Sequence, residues 1–571
     1  MKFIRVDMTE KKVSIEEMPL EYQKLGGRRL TSTFVNAEVP PTCDPLGPQN
    51  KLIFAPGLLS GTPLVNTSRL SVGSKSPLTG GIKESNAGGT IGTTMGRREI
   101  AGVIIEGKPK SNELFILKIE SNEKVSLIPA GDLKGMRTYA LTEKIFKTYG
   151  DDNSIMCIGP AGENQLKSAS IQSTDVDNRP CRCAGRGGLG AVMGSKGLKA
   201  IVVKRSKKPL AGIHNPDAFK QGVKVFTKAI QENPTTQILK RLGTPAMVAM
   251  INSLGAFPAY NATQGVMENW EAISGEKFAE IMTERGGQPE HRGCSGCVIH
   301  CSNVYVDKAG TYITGSLEYE TIWSMGGMTG NLDPDIIAQL DRGCDDIGVD
   351  TMNTGVAMAV AMDAGHKAFG DGPALLDMVE EIGSGTEFGK ILGNGPAEVG
   401  KHFNHHRVPV VKNQSIAGYD PRGMQGTGVT YATSPMGADH TAGNTTAKYL
   451  DGTLVSHETK GQIEASRAAQ VTMAFLDSMG LCIMAGVALM VPDSMMALFD
   501  MINARLGTNL GMEFIALTGV NTIQVEREFN RRAGFTKKND RLPKFFYEEP
   551  LSPHNKVFGI ADQELDLTHD F

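Results

Sequence analysis

The chain has 571 residues, with 59 lysines and arginines against 62 aspartates and glutamates. A hydrophobic share of 40% beside 21% charged residues belongs to a packed chain and excludes disorder. A net charge of −3 leaves no global field for collecting polyanions, and no local basic segment stands out, so no nucleic-acid role is expected.

The N-terminal MKFIRVDMTEKKVSIEE has no apolar signal-peptide core, and the most apolar stretch, Gly480 to Val491, is too short to span a bilayer. A cytoplasmic protein without a membrane span is expected. Up to about residue 208, short β-branched runs at 51–56, 101–107, 113–120 and 199–205 alternate with Gly, Pro and Asn turns and predict strands. From Pro216 onward the apolar spacing is helical, at 216–231, 335–345, 351–368, 374–382, 463–476 and 493–505. The expected fold is α+β: a β-rich domain over 1–208, then two mainly helical domains over 209–414 and 415–571. KPLAGIHNP at 208–216 marks the first boundary, and a weaker one lies near 408–421.

Two repeats interrupt this pattern. Offset by 98 residues, SNAGGTIGTTMG (85–96) aligns with CAGRGGLGAVMG (183–194), and each segment leads into a strand and then a Lys-Pro turn. One Gly-rich turn would be ordinary; two related ones suit a ligand with two equivalent phosphates, because exposed backbone N–H groups form anion-binding concavities. The second repeat is Asp-x-x-Gly-aliphatic, at Asp345-Asp346-Ile347-Gly348-Val349-Asp350 and Asp477-Ser478-Met479-Gly480-Leu481-Cys482. Each copy follows a helical segment that the glycine would end. Duplication fits a structural repeat as well as a site.

The nine cysteines are an odd number in a large chain, which points to metal or redox chemistry rather than a disulfide frame. HRGCSGCVIHC places Cys294, Cys297 and Cys301 within eight residues. Three thiolates this close suit one soft metal site, either an iron–sulfur cluster or zinc completed by His300 or His291. A cubane needs a fourth ligand, and Cys482, at the end of the second Asp-x-x-Gly copy, is the candidate. Cys43, Cys157, Cys181, Cys183 and Cys344 are expected to be packing residues.

Taken in order, SRLSVGSKSPLTGGIKESNAGG (68–89), GPAGEN (159–164), CAGRGGLGAVMGSKGLKAI (183–201), the cluster cysteines, LEYET (317–321), both Asp-x-x-Gly motifs, YDPRG (419–423) and YATSPMGADH (431–440) make the chain similar to the aldehyde:ferredoxin oxidoreductase family of tungsten enzymes over essentially its full length. The resemblance implies a pseudo-twofold β-rich domain cradling a tungsten (or molybdenum) bis-pterin, with a [4Fe-4S] cluster beside one pterin and magnesium bridging the pterin phosphates. It assigns the magnesium to main-chain carbonyls of Asn86 and Ala184, and a place between pterin and cluster to Arg69. The pterin turns fall on Asp345, Gly348, Val349 and Asp350, and on Asp477, Gly480 and Leu481; Val349 stands where the family has Leu. Cluster ligation falls on Cys294, Cys297, Cys301 and Cys482.

Glu320 matches the family's active-site glutamate, a general base, with Glu318 as the alternative register, and His440 matches a hydrogen-bond donor to the metal oxo group or the substrate carbonyl. The implied reaction is oxidation of an aldehyde to a carboxylic acid, or its reverse. Electrons pass singly through the cluster to ferredoxin or an iron–sulfur subunit, in a homo-oligomer or hetero-complex. The alternatives are the catalytic subunit of a dearomatising aryl-CoA reductase, disfavoured by the lack of a basic CoA-recognition cluster, and a non-catalytic zinc or iron–sulfur protein. A nucleotide enzyme is set aside because Gly185-Arg-Gly-Gly-Leu-Gly does not meet the dinucleotide pattern and leads into a strand.

Overall fold

A computed structural model describes all 571 residues. Residues 2–204 fold as two copies of one six-stranded unit. The first holds β1 (Lys2–Asp7), β2 (Lys12–Glu17), β3 (Leu52–Pro56), β4 (Leu70–Lys75), β5 (Ile82–Ala87) and β6 (Ile100–Glu106). The second holds β7 (Phe115–Ile119), β8 (Val125–Pro129), β9 (Asn153–Cys157), β10 (Ile171–Ser173), β11 (Arg182–Ala184) and β12 (Leu198–Lys204). The sheet orders, β2-β1-β6-β3-β4-β5 and β11-β10-β9-β12-β7-β8, are the same order read from opposite ends. In both copies the first strand pairs parallel with the last, and the register skips one residue, Ala101 in one and Lys199 in the other. One apolar core fills the space between the sheets, and the edge strands β5 and β11 contact each other. The α+β expectation holds.

The 98-residue offset is exact for the helices Ile91–Arg97 and Leu189–Ser195 and for the strands β6 and β12. It corrects the reading of the Gly-rich segments as loops throughout: the second half of each, 91–96 and 189–194, is helix. A Cβ on Gly92 or Gly190 would overlap the carbonyl oxygen of Ser68 or Ser170, and one on Gly96 or Gly194 that of Ser60 or Gly162. These glycines let a short helix lie directly on neighbouring backbone.

The helices expected from the periodicity occur, among them Pro216–Glu232, Pro334–Ile347, Thr351–Asp363, Gly372–Ser384, Gln462–Met479 and Pro492–Leu506. Local chemistry starts them: Asn215 accepts from the Ala218 N–H ahead of Pro216, and Asp333 accepts from Asp335 and Ile336 ahead of Pro334. Two helices inside the β-rich part, Gly27–Glu38 and Thr138–Tyr149, were not expected. The first packs on Gln462–Met479 and the second on Pro334–Ile347, so each half of the β domain leans on one helix that ends in Asp-x-x-Gly.

Beyond residue 209 the cores do not follow chain order. Phe219, Phe226 and Ile230 share a core with Met473, Phe475, Leu498 and Ile502. Phe545, Phe546 and Leu565 share one with Ile337, Val356 and Tyr419. Arg422 of YDPRG, buried and paired with Asp420, donates to the Glu549 carbonyl, so that motif anchors the C-terminal tail. No single helix is long and apolar enough to cross a membrane.

Charge is less even than the sequence reading held. Residues 204–241 carry nine lysines and arginines against only Asp217 and Glu232.

Candidate functional site

Both Asp-x-x-Gly segments end their helices on a left-handed glycine, Gly348 at φ 78° and Gly480 at φ 79°. Each glycine meets another, and the two contacts are equivalent in the two halves: a Cβ on Gly57 would overlap Gly480, and one on Gly159 the carbonyl of Ile347 beside Gly348. The next contacts are also duplicated. The Asp350 N–H donates to the Ser168 carbonyl at 2.9 Å, and the Cys482 N–H to the Asn66 carbonyl at 3.0 Å. Asp350 and Cys482 therefore hold equivalent places, one a carboxylate that caps Thr351–Asp363 and the other a thiol. A Gly159→Ala substitution is expected to lower the yield of soluble protein several-fold, as measured by the soluble fraction after expression, because the clash is with backbone that cannot move aside.

Between these turns and the facing edges of β5 and β11 lies a cleft of about 910 Å³, open mouth included. Arg69, Asn86, Asp350, Asp477 and Leu481 line it, as do Cys183, Gly185 and Arg186. Asp345 sits behind the wall beside Asp341, and burial followed by that neighbouring charge pushes its carboxyl well above the usual range. Burial and then Glu84 do the same to Asp477. Ala184, at the end of β11, pairs with Ile171. Cys183 corrects its reading as a packing residue, since it lines the cleft; Cys43, Cys157, Cys181 and Cys344 are buried.

At one end of the cleft stands His440, and behind it Glu320. The Glu320 Oε1 and His440 Nδ1 atoms are 3.5 Å apart and neither makes a hydrogen bond; His440 Nδ1 also stands 3.9 Å from Asp439 Oδ1. Glu320 lies in a single helical turn, Tyr319–Ile322, that widens into a π-helical segment at Trp323–Gly327, a departure common at functional sites. Its Oε2 accepts the Gly418 N–H at 2.9 Å, while the Tyr319 hydroxyl donates to the Gly418 carbonyl. Burial raises the Glu320 pKa; His440 and the Gly418 N–H oppose that. The neighbouring Asp439 is clamped by Lys83 at 2.8 Å, with Arg186 at 3.9 Å. Burial would raise the Asp439 carboxyl, but these cations outweigh it and hold it well below the usual range.

The four cysteines gather at the other end. Arg69 reaches from the cleft to donate to Cys482 Sγ at 3.5 Å, the Asn66 side chain donates to Cys297 Sγ at 3.5 Å, and the Gly89 N–H to Cys294 Sγ at 3.3 Å. A Cβ on Gly88 would stand 2.9 Å from Cys294 Sγ, so a larger residue there would displace that sulfur. Burial, and then Cys294, pushes the Cys297 thiol up to about 11. Arg182 packs on Gly293 and pairs with Glu318 at 3.0 Å, and Glu318 also accepts from Thr244 and Ser316. Glu318 thus stands on the cysteine side, and only Glu320 reaches His440. Arg28, Glu84, Arg182 and Arg186 were missed; Arg186 alone had a local signal, as a lone cation inside the Gly-rich CAGRGG segment.

Residues 3–205 match the family profile "Aldehyde ferredoxin oxidoreductase, N-terminal domain", and residues 221–567 match "Aldehyde ferredoxin oxidoreductase, domains 2 & 3". The chain is 33% identical over 575 residues to the tungsten-containing aldehyde ferredoxin oxidoreductase of Pyrococcus furiosus, covering 96% of this chain and 92% of that protein. The corresponding protein of Thermococcus kodakarensis is 33% identical over 576 residues, with the same coverage. A WOR-like subunit of an aliphatic sulfonate oxidoreductase from Pyrococcus furiosus is 26% identical over 623 residues, covering 99% of this chain and 92% of that one. Among solved structures, the active-site complex of benzoyl coenzyme A reductase with 1,5-dienoyl-CoA has a TM-score of 0.81 at 19% identity, over 100% of this chain and 93% of that one, a likeness of fold. With both profiles matched in order and a third of the residues shared over nearly the whole length, the chain belongs to the aldehyde ferredoxin oxidoreductase family and is an oxidoreductase.

Proposed function

We propose that the protein oxidises an aldehyde to a carboxylic acid at a tungsten (or molybdenum) bis-pterin centre and passes the electrons, one at a time, through a [4Fe-4S] cluster to ferredoxin or an iron–sulfur subunit. The observation that carries this reading is the convergence on one cleft of both duplicated segments, with Glu320 and His440 at one end and four cysteines at the other.

The residues fit these groups. A ligand with two equivalent halves needs two equivalent cradles, and the duplicated glycine contacts supply them. Edge strands leave carbonyls outside the ladder, which suits magnesium held by main-chain oxygens of Asn86 on β5 and Ala184 on β11. The turns Asp345, Gly348, Val349 and Asp350, and Asp477, Gly480 and Leu481, hold the pterins. Carboxyls raised by burial, as at Asp345 and Asp477, suit polar ring edges better than bare cations. Cys294, Cys297, Cys301 and Cys482 hold the cluster. Four thiolates around one zinc stand about 3.8 Å apart; here no three of the four sulfurs lie within 4.8 Å of one another, which favours a polynuclear cluster over zinc.

When bound, the metal centre supplies the two-electron redox step and the cluster carries single electrons. The protein residues handle protons and position. An aldehyde and a water give the acid, two protons and two electrons. The buried Glu320 carboxylate takes a proton from the water, with its other oxygen fixed by the Gly418 N–H. His440, oriented by Glu320 and packed on the Tyr419 ring at 5.8 Å, donates to the developing oxygen. Met352, Met436, Met473 and Ile483 form an apolar wall that keeps bulk water from the substrate. All nine cysteines are free, in keeping with a reducing cytoplasm. Anaerobically purified protein is expected to carry four iron, one tungsten or molybdenum and two pterins per chain by metal and pterin analysis; zinc without pterin would sink the reading.

A further inference from the structure

We propose that the exposed face of the helices Pro216–Glu232 and Pro234–Leu242 is the docking surface for a small acidic electron-carrier protein that collects electrons leaving the four-cysteine group. The inference deepens the function proposed above and rests on it. Per encounter, one electron leaves the reduced cluster for the oxidised carrier, and two encounters complete one aldehyde oxidation.

The charge is concentrated where no fold requirement puts it. The two helices hold five cations, Lys220, Lys224, Lys228, Lys240 and Arg241, against two acids, Asp217 and Glu232, in a chain that is acidic overall. Lys220, Lys224 and Lys228 recur every four residues and are all exposed, while Phe219, Phe226 and Ile230 bury the opposite face. Like charges at this spacing repel and weaken a helix. Lys220 and Lys224 make no ion pair, and Lys228 makes only a long one with Glu232 at 3.9 Å. On the next helix Lys240 faces Glu290 at 3.4 Å and Arg241 is exposed without a pair. Val225 beside Lys224 and Ile238 two residues before Lys240 are 42% and 43% exposed, so the same helices offer apolar side chains alongside the cations.

The position links this face to the redox group. The buried side of the two helices belongs to the core against which Cys297, Cys301 and Cys482 pack. Helix Pro234–Leu242 ends at Gly243, where a Cβ would lie 2.8 Å from the Cys301 carbonyl. One helix layer therefore separates the cations from the thiols. Gly296, between Cys294 and Cys297, reaches solvent, and the His300 side chain is one-third exposed. A cationic rim beside the solvent edge of the group steers an anionic carrier to the place where the transfer path is shortest.

The test is the triple charge reversal Lys220→Glu, Lys224→Glu and Lys228→Glu in the full-length, cofactor-loaded protein. The probes are a purified acidic two-cluster bacterial ferredoxin and the dye benzyl viologen. Expected for the variant are a ferredoxin reduction rate at low salt at least tenfold lower, loss of most of its salt dependence, and unchanged dye reduction and metal content. Calorimetric binding of the ferredoxin should weaken at least tenfold; this arm stands whether or not the protein turns over aldehyde, so a failure of the catalytic reading is seen separately, as absent dye reduction in the wild type. A variant that binds and reduces ferredoxin within twofold of wild type overturns the proposal. So does wild-type sedimentation with phosphatidylserine vesicles that the variant loses while its ferredoxin rate is unchanged.

Discussion

Replacing Glu320 by Gln is expected to lower kcat for aldehyde oxidation by about 10²- to 10⁴-fold, the usual contribution of a positioned proton acceptor, with metal and pterin content intact. The amide keeps an oxygen for the Gly418 N–H, so the local turn should survive. What it loses is the charge that accepts a proton. The wild-type pH profile carries the signature. Burial raises the Glu320 pKa above its ordinary 4.5, and the base is lost once the carboxyl is protonated, so kcat/KM falls as pH drops through that raised value. The acid limb should stand at higher pH than a solvent-exposed glutamate would give, and it should vanish in Glu320→Gln. Glu318→Gln is the control two residues away. Its carboxylate serves Arg182 and Thr244, so that variant should keep the acid limb. A Glu320→Gln enzyme with full cofactor and full activity would remove Glu320 from the mechanism.

Glu318 and Glu320 show where sequence stops informing. Two glutamates in one LEYET segment are indistinguishable by pattern; they separate because a helix begins between them and turns one to each end of the cleft. The two Asp-x-x-Gly turns were legible because a left-handed glycine ends a helix by a local rule, and both copies obey it, at φ 78° and 79°. The repeat was legible only where no insertion intervenes. Strand β7 begins 113 residues after β1, so the 98-residue offset cannot find that pair. Glycine was legible as a signal and misread as to cause. At Gly92, Gly96, Gly190 and Gly194 it serves contact between backbones, which composition cannot tell from contact with phosphate. Helix Gly27–Glu38 buries Leu30, Phe34 and Val35 at helical spacing, but part of its buried face is ionic, through Arg28.

That ionic face should carry the largest stability effect in the protein. Arg28 is 2% exposed and makes a two-pronged pair with Glu526, which is 0% exposed, through Nε and an Nη at 2.9 Å each; Ser32 adds a hydrogen bond to Glu526 at 2.8 Å. Its other Nη reaches Asp477 at 3.4 Å. Arg28→Met would leave Glu526 buried with no counter-charge, a loss of about 3–5 kcal/mol. The double variant Arg28→Met, Glu526→Leu should recover most of it, since an apolar pair of similar volume avoids the desolvation that the ions must overcome. The recovery is not expected to extend to the cleft. Asp477 lies at the end of Gln462–Met479, beside Gly480 and Cys482, and Arg28 is a buried donor to its carboxyl. Urea unfolding should therefore show the single variant weakened and the double variant restored, while pterin content per chain stays low in both. Equal pterin loading in the double variant and wild type would mean that Arg28 ties the β domain to the C-terminal helix and does nothing for the site.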